Sequence, residues 1–298
     1  MVTPFDESGA LDVDGAVTLA RWLAGNGSDG LVVAGTTGEG PVLSDAERAE
    51  LWRAVSEAVT VPVIAGTGSN DTRHSVACTR LAGDAGVDAA LVVTPYYSRP
   101  SQAGLLAHFR AVAEATDLPV VLYDIPVRTG RRIAPDTMLR LAREVPNIVG
   151  VKDATGDPAG SARLIAEAPG AFELYSGDDA LTLPLLAVGA VGVVSVASHW
   201  AGVEMNELVV AFAKGDVEGA QAANVRLLDS YGFESSEEFP NPLPAKAACR
   251  VLGLPAGQCR LPLGDAPPEL EERARVVLGG LGRRLRGPAG ADGGGPLA

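Results

Sequence analysis

Short apolar, β-branched runs recur along the chain at a regular interval, over residues 30–34, 61–65, 89–93, 120–123, 148–151, 172–175 and 191–196. Between them apolar residues fall at three- and four-residue spacing, over 46–59, 75–85, 104–115, 136–144 and 159–166, which is the pattern of helices that bury one face. Start signals agree with this placement. Ser44-Asp45-Ala46-Glu47 has the form of a capping box, in which the serine oxygen accepts a first-turn amide and the glutamate reaches back. Pro135-Asp136 suits a helix entry. Strands alternating with helices at roughly thirty residues per unit imply βαβ crossovers and a parallel sheet.

Seven strands are legible, and Val2-Thr3 reads as the remnant of an eighth. The expected fold class is therefore α/β, a (β/α)8 TIM barrel with a small C-terminal helical bundle. The barrel spans 1–215 with its first strand truncated. A wholly helical region follows over 216–285, with helices at 216–230, 244–252 and 268–285. Residues 286–298, rich in glycine, alanine and proline, cannot bury a core and are expected to be a disordered tail. A doubly wound open sheet is the rival architecture, but it carries a G-x-G-x-x-G loop after its first strand. The glycine-rich stretch Gly35-Thr36-Thr37-Gly38-Glu39-Gly40 also lacks the Gly-Lys-Ser/Thr ending of a P-loop.

Composition narrows the function classes. A formal charge of −13 argues against nucleic acid or an anionic membrane as a partner, since both reward a basic face. Small anionic substrates stay open, because they need only a local cluster of donors. Cys78, Cys249 and Cys259 show neither metal spacing nor paired framework, which points to a reducing cytoplasm. His74, His108 and His199 are scattered and read as ordinary, so no metal site is expected. No basic-then-apolar leader follows Met1, and no apolar run is long enough to span a bilayer.

The chemistry concentrates at Lys152, one of only three lysines beside Lys214 and Lys246. It ends the apolar run Ile148-Val149-Gly150-Val151. Burying an ammonium there favours the free amine, and a free amine attacks a ketone to form a Schiff base. A strand-end lysine can also bury its stem and lift its head into water. In a barrel the active site lies at the C-terminal ends of the strands. Those ends carry Gly35-Thr36-Thr37-Gly38-Glu39, Thr94-Pro95-Tyr96-Tyr97, Tyr123 through Gly130 with Arg128, Lys152, and Ser176-Gly177-Asp178-Asp179. Taken singly, the threonines could satisfy turn amides, the tyrosines could pack, and the aspartates could cap helices. Together they offer a nucleophilic amine, hydroxyls to relay protons, and a guanidinium to hold a carboxylate, which are the parts Schiff-base chemistry on a keto acid needs.

These motifs resemble the dihydrodipicolinate synthase family of pyruvate-dependent class I aldolases. The resemblance runs from Val2-Thr3-Pro4-Phe5 to about Leu263 and rests on six motifs in order. They are Gly-Thr-Thr-Gly-Glu at 35–39, Ile-Ala-Gly-Thr-Gly at 64–68, Val-Thr-Pro-Tyr-Tyr at 93–97, Tyr-Asp-Ile-Pro at 123–126, Gly-Val-Lys-Asp-Ala-Thr-Gly at 150–156 and Ser-Gly-Asp-Asp at 176–179. It implies that Lys152 forms the imine with pyruvate, and that Thr37, Tyr123 and Tyr97 relay protons, Tyr97 reaching in from a neighbouring subunit. Thr36 and Thr37 would hold the pyruvate carboxylate, Val194 and Gly177 would line the pocket, and Arg128 would hold the carboxylate of aspartate semialdehyde.

The implied reaction condenses pyruvate with L-aspartate 4-semialdehyde to 4-hydroxy-tetrahydrodipicolinate for lysine and diaminopimelate synthesis. It needs no metal or organic cofactor, and the family's common assembly is a homotetramer built as a dimer of dimers. Related sugar-acid lyases, such as N-acetylneuraminate lyase and 2-keto-3-deoxy sugar acid aldolases, are the alternative. They carry Ser-Thr where this chain has Thr36-Thr37. A non-catalytic pyruvate-binding paralogue is a second alternative, against which stand Lys152, Tyr123, Thr37 and Arg128 together. The family's lead-in before Val-Thr-Pro is absent here, hence the truncated first strand. Lysine-sensitive members use a site at positions equivalent to Pro41, Asp45, Arg48, Asn70, His74 and Tyr96. Asp45, Arg48 and His74 do not match the residues of sensitive enzymes, so weak or absent inhibition by lysine is expected.

Overall fold

The computed structural model describes residues 1–283. Its first half runs α1 (Val13–Gly25), β1 (Leu31–Val33), α2 (Asp45–Ala58), β2 (Val63–Gly66), α3 (Thr72–Asp84), β3 (Ala89–Val93), α4 (Gln102–Ala113) and β4 (Val120–Asp124). A one-turn helix α5 (Pro126–Thr129) precedes α6 (Pro135–Glu144), β5 (Ile148–Asp153), α7 (Pro158–Glu167), β6 (Glu173–Ser176), α8 (Thr182–Ala187) and β7 (Gly192–Val193). Only helices follow: α9 (Ser198–Ala213), α10 (Val217–Phe233), α11 (Leu243–Val251) and α12 (Pro268–Gly280). The expected tail over 286–298 lies outside the described residues.

The strands form one parallel sheet in sequential order from β1 to β7, each joined to the next through helical crossovers. Successive side chains of a strand face opposite ways, and both faces are covered. One face packs Leu91, Tyr123 and Ile125 with Val32, Ile64, Val93 and Val121. The other gives Val33, Ala65, Ala90, Val92, Leu122, Val151 and Leu174 to the main core beneath the helices. Local signals place the helices. Ser44 and Glu47 make the capping box at the start of α2, and α6 opens on Pro135.

No hydrogen-bonded pairing joins β7 to β1. Residues 1–5 are buried and lie beside β1 as a strap. The Met1 nitrogen donates to the Val32 carbonyl, the Val2 amide to His199 Nε2 at 2.9 Å, and the Thr3 hydroxyl to the Gly38 carbonyl at 2.6 Å. His199 Nδ1 lies 2.8 Å from the Val196 carbonyl, so the proton sits on Nδ1 and Nε2 is free to accept from Val2. Burial holds the His199 pKa down at about 3 and keeps that tautomer neutral. The structure thus assigns this histidine to joining the strap to the end of β7.

Candidate active site

Parallel register brings the chemistry into one row. Tyr123 of β4 pairs with Lys152 of β5, and Lys152 with Tyr175 of β6. Lys152 is 8% exposed and Tyr123 4%, and the Lys152 Nζ lies 4.3 Å from the centre of the Tyr123 ring. That contact is a cation–π geometry for an ammonium. Gly177 makes room for the lysine stem. A Cβ at this position would stand 3.1 Å from Lys152 Cε and 3.0 Å from Ala154 Cβ. The Gly177 amide donates to the Asp153 carbonyl at 2.7 Å, fixing the turn just past β6.

A cavity of about 430 Å³ opens over this row, at the C-terminal ends of the strands where such sites form. Of the catalytic and substrate-binding residues expected from the sequence, Thr36, Tyr97, Tyr123 and Arg128 line it, as do Pro41, Arg48 and Tyr96. Lys152, Thr37, Gly177 and Val194 are not among its lining. Lys152 is under Tyr123, Gly177 is against Lys152, and the Val194 amide donates to the Ser176 carbonyl at 2.8 Å. Thr37 is reached through Asn241, whose Nδ2 donates to Thr37 Oγ1 at 2.9 Å. Arg128 projects from α5, and its Nη2 lies 3.4 Å from the Asn241 carbonyl. Tyr97 is different in kind. It is 90% exposed, in the left-handed region at φ 70°, a conformation unusual for a bulky side chain and held only where its surroundings demand it.

Asn241 is the site residue that sequence reasoning missed. It is 7% exposed, lines the cavity, and fixes Thr37 by occupying one hydroxyl lone pair. Its side-chain oxygen is buried without a protein partner. The signal that could have found it is Pro240-Asn241-Pro242, a proline-flanked polar residue that marks a constrained turn. The loop below the cavity is held by a buried ion pair. Lys246 Nζ lies 2.6 Å from Glu39 Oε1, each side chain being 1% exposed, and the Arg260 amide donates to Glu39 Oε2 at 2.9 Å.

The histidines are not alone, as the sequence suggested, because each meets a partner distant along the chain. His108 Nδ1 is 2.9 Å from Thr72 Oγ1, and His74 Nε2 is 2.9 Å from Asp45 Oδ1. Asp45, His74 and Cys78 bring one potential ligand atom each within 4.8 Å of one another. Arg48 Nη1 stands 3.7 Å from Cys78 Sγ, however, and a guanidinium there opposes a cation. Arg48 itself is 5% exposed, donating to the Gly66 carbonyl at 3.2 Å and to the Gly40 carbonyl.

Fold and site together define the class: an α/β enzyme whose cavity opens at the carboxyl ends of parallel strands, over a buried lysine packed on a tyrosine ring. Comparison with known proteins narrows the class to one family. The chain belongs to the dihydrodipicolinate synthetase family, whose model matches residues 1–278. It is 50% identical over 280 residues to the 4-hydroxy-tetrahydrodipicolinate synthase of Moorella thermoacetica, covering 93% of this chain and 95% of that one. Against the synthase of Acidothermus cellulolyticus the identity is 52% over 285 residues, covering 95% and 91%. Among solved structures, the lysine-bound enzyme of Cyanidioschyzon merolae superposes with a TM-score of 0.91 at 45% identity, covering 95% and 96%. The Aquifex aeolicus synthase gives 0.92 at 39%, covering 96% and 98%.

Proposed function

We propose that this chain condenses pyruvate with L-aspartate 4-semialdehyde to 4-hydroxy-tetrahydrodipicolinate, as a cytoplasmic enzyme of lysine and diaminopimelate synthesis. The observation that carries the reading is the buried Lys152 amine lying 4.3 Å from the Tyr123 ring, beneath a cavity lined by Thr36, Arg128 and Asn241. Lys152 attacks the pyruvate ketone, and the carbinolamine loses water to give the imine. Tyr123, Thr37 and Tyr97 carry the protons that reach and leave the carbinol oxygen. Thr36 and Thr37 hold the pyruvate carboxylate, with Gly177 and Val194 shaping the inner wall. Proton loss from the methyl carbon yields the enamine, whose carbon attacks the aldehyde. The substrate amine then displaces Lys152 and the ring closes, so the lysine is regenerated.

Arg128 at the cavity wall favours a short aldehyde bearing a carboxylate, because a guanidinium binds carboxylate by paired, charge-assisted donors. A polyol aldehyde would want neutral hydroxyl-binding groups instead. We read the seven strands as staves of a (β/α)8 barrel over 1–215, with the N-terminal strap standing where the eighth would be. The helices α10, α11 and α12 form a small bundle against it. The exposed Tyr97 supports a homotetramer in which paired subunits complete each other's relay. The test is a substrate comparison. Purified protein is assayed for condensation of pyruvate with aspartate semialdehyde, and for cleavage of sialic acid and of 2-keto-3-deoxy sugar acids. Condensation alone is expected; robust cleavage of either sugar acid would move the chain to the lyases.

A further inference from the structure

Two parts of the site that are far apart in sequence meet at Asn241. Its side-chain nitrogen donates to Thr37 Oγ1 at 2.9 Å, in the segment after β1. Its backbone carbonyl accepts from Arg128 Nη2 at 3.4 Å, on α5 after β4. The proposed reaction gives these two partners the carboxylates of different substrates, so one residue touches the binding groups of both. The backbone fixes where Asn241 sits. Proline stands on either side of it, which sets φ at both neighbours and keeps Asn241 itself out of the helical region. The Asn241 amide donates to Ser235 Oγ at 3.2 Å. Further along, Lys246 Nζ lies 2.6 Å from Oε1 of Glu39, which closely follows Thr37. The Thr37 loop and the Asn241 segment are therefore joined at two points, and their register does not depend on the Asn241 side chain alone.

A threonine hydroxyl has one proton to give and two lone pairs. The Asn241 amide nitrogen can only donate, so it takes a lone pair of Thr37 Oγ1 and turns the Thr37 proton toward another acceptor. Turning the amide over would make Thr37 the donor to Asn241 instead. It would also put two N–H donors where the side-chain oxygen is now buried with no partner among the described residues, and orphaned buried N–H groups are the rarer case. Asn241 is 7% exposed, so water has little access to the bond. A substrate carboxylate only accepts, and Thr37 can hold one only if its proton is not already given to Asn241.

We infer that Asn241 is a positioning residue for both substrates: its side chain fixes Thr37 as a donor to the pyruvate carboxylate, and its backbone carbonyl separately seats Arg128 for the aldehyde. This assignment rests on the reading of Lys152 as the imine-forming residue and of Thr37 and Arg128 as the holders of the two carboxylates. Asn241 acts through those two residues. The two contacts come from different parts of Asn241, which separates them experimentally. Replacing the side chain removes the Thr37 bond and leaves the carbonyl beside Arg128, whereas a displaced segment would disturb both.

Borohydride trapping of pyruvate, with kcat/KM measured for each substrate, tests this in Asn241→Ala. At subsaturating pyruvate N241A should form the adduct roughly tenfold more slowly, the scale of a lost hydrogen bond to a charged group. Its kcat/KM for aspartate semialdehyde, measured at saturating pyruvate, should stay within about twofold of wild type, as independent contacts do. In a Thr37→Val background the same change should slow trapping by less than about twofold, because the bond it removes is already gone. Asn241→Leu keeps the approximate shape without the donor and should behave as N241A does; it carries the test if N241A does not fold. The inference is overturned if both variants trap at the wild-type rate, or if kcat/KM falls equally for the two substrates. It is also overturned if N241A costs as much in the T37V protein as in the wild type. Wild-type protein that traps no pyruvate would refute the Schiff-base reading and this inference with it; trapping by wild type with N241A unimpaired refutes this inference alone.

Discussion

Asp124 follows Tyr123 on β4 and points to the opposite side of the sheet, where it is 3% exposed. Burial raises its pKa to about 7, with Asp153 adding to the effect and the Ile133 amide opposing it. A carboxyl of ordinary pKa when unfolded and about 7 when folded binds its proton more tightly in the native state. Its contribution to stability is therefore full below about pH 4 and is lost as pH rises through 7, on the order of 4 kcal/mol in total. Asp124→Asn removes this dependence. The wild-type advantage over D124N in denaturant midpoint should be larger at pH 5 than at pH 8, and parallel curves would refute the assignment. In the site itself, Tyr123→Phe should lower kcat by about 10²–10⁴-fold, the range for a lost proton-transfer group, with the fold unchanged by circular dichroism. The gathering of Tyr123 and Lys152, near the ends of β4 and β5, with Thr36, Thr37 and Arg128, in the segments that follow β1 and β4, was legible in the sequence because a parallel α/β pattern brings these positions to one edge of the sheet. Asn241 was not. Its contact with Thr37 spans 204 residues, and no local periodicity encodes such a pairing.

Among the elements, the strands and the helices α2, α3, α4, α6 and α7 were readable within a few residues because each carries its own period and start signal. Helix α9 was not among those the pattern singled out. It is buried along much of its length, with His199, Trp200, Ala201, Gly202, Glu204, Met205 and Leu208 all inside, so no clean polar face sets its phase. A break at Ala201, with φ −122° and ψ 29°, blurs the spacing further. The loop between β1 and α2 depends on the Lys246–Glu39 pair, which reaches from α11. Lys246→Met removes the cation paired with the buried Glu39 side chain, and should cost about 3–5 kcal/mol. The double change Lys246→Met with Glu39→Gln should recover much of that loss in thermal unfolding. Equal destabilisation by the single and double variants would show that the pair is not what holds the loop. At the start of α2 and α3, His74 meets Asp45 and Arg48 is turned inward onto backbone carbonyls. Both side chains are thereby engaged, which supports weak inhibition by lysine. Half-maximal inhibition at submillimolar lysine would contradict it.

For the molecule as a whole, two cross-connections make the site depend on distant chain. Phe5 of the N-terminal strap lies beneath two cations of the C-terminal region, Lys246 Nζ at 4.3 Å and Arg260 at 4.1 Å from the ring centre. Asn241, in the segment between α10 and α11, holds Thr37 from above. Among the described residues no helix is long and apolar enough to cross a membrane. Tyr97 belongs to this scale because it is exposed on the single chain and the role proposed for it involves a neighbouring subunit. If a neighbouring subunit completes the relay, mixing inactive Lys152→Ala and Tyr97→Phe proteins under subunit exchange should restore measurable turnover; no recovery in a verified mixed oligomer would place the whole relay within one chain. The central claim is that Lys152 forms an imine with pyruvate, and borohydride reduction in the presence of pyruvate, followed by intact mass and peptide mapping, tests it most directly. The account predicts one pyruvate-derived adduct per chain, on the peptide containing Lys152. A folded protein that takes up no adduct, or carries it on Lys214 or Lys246, would contradict it.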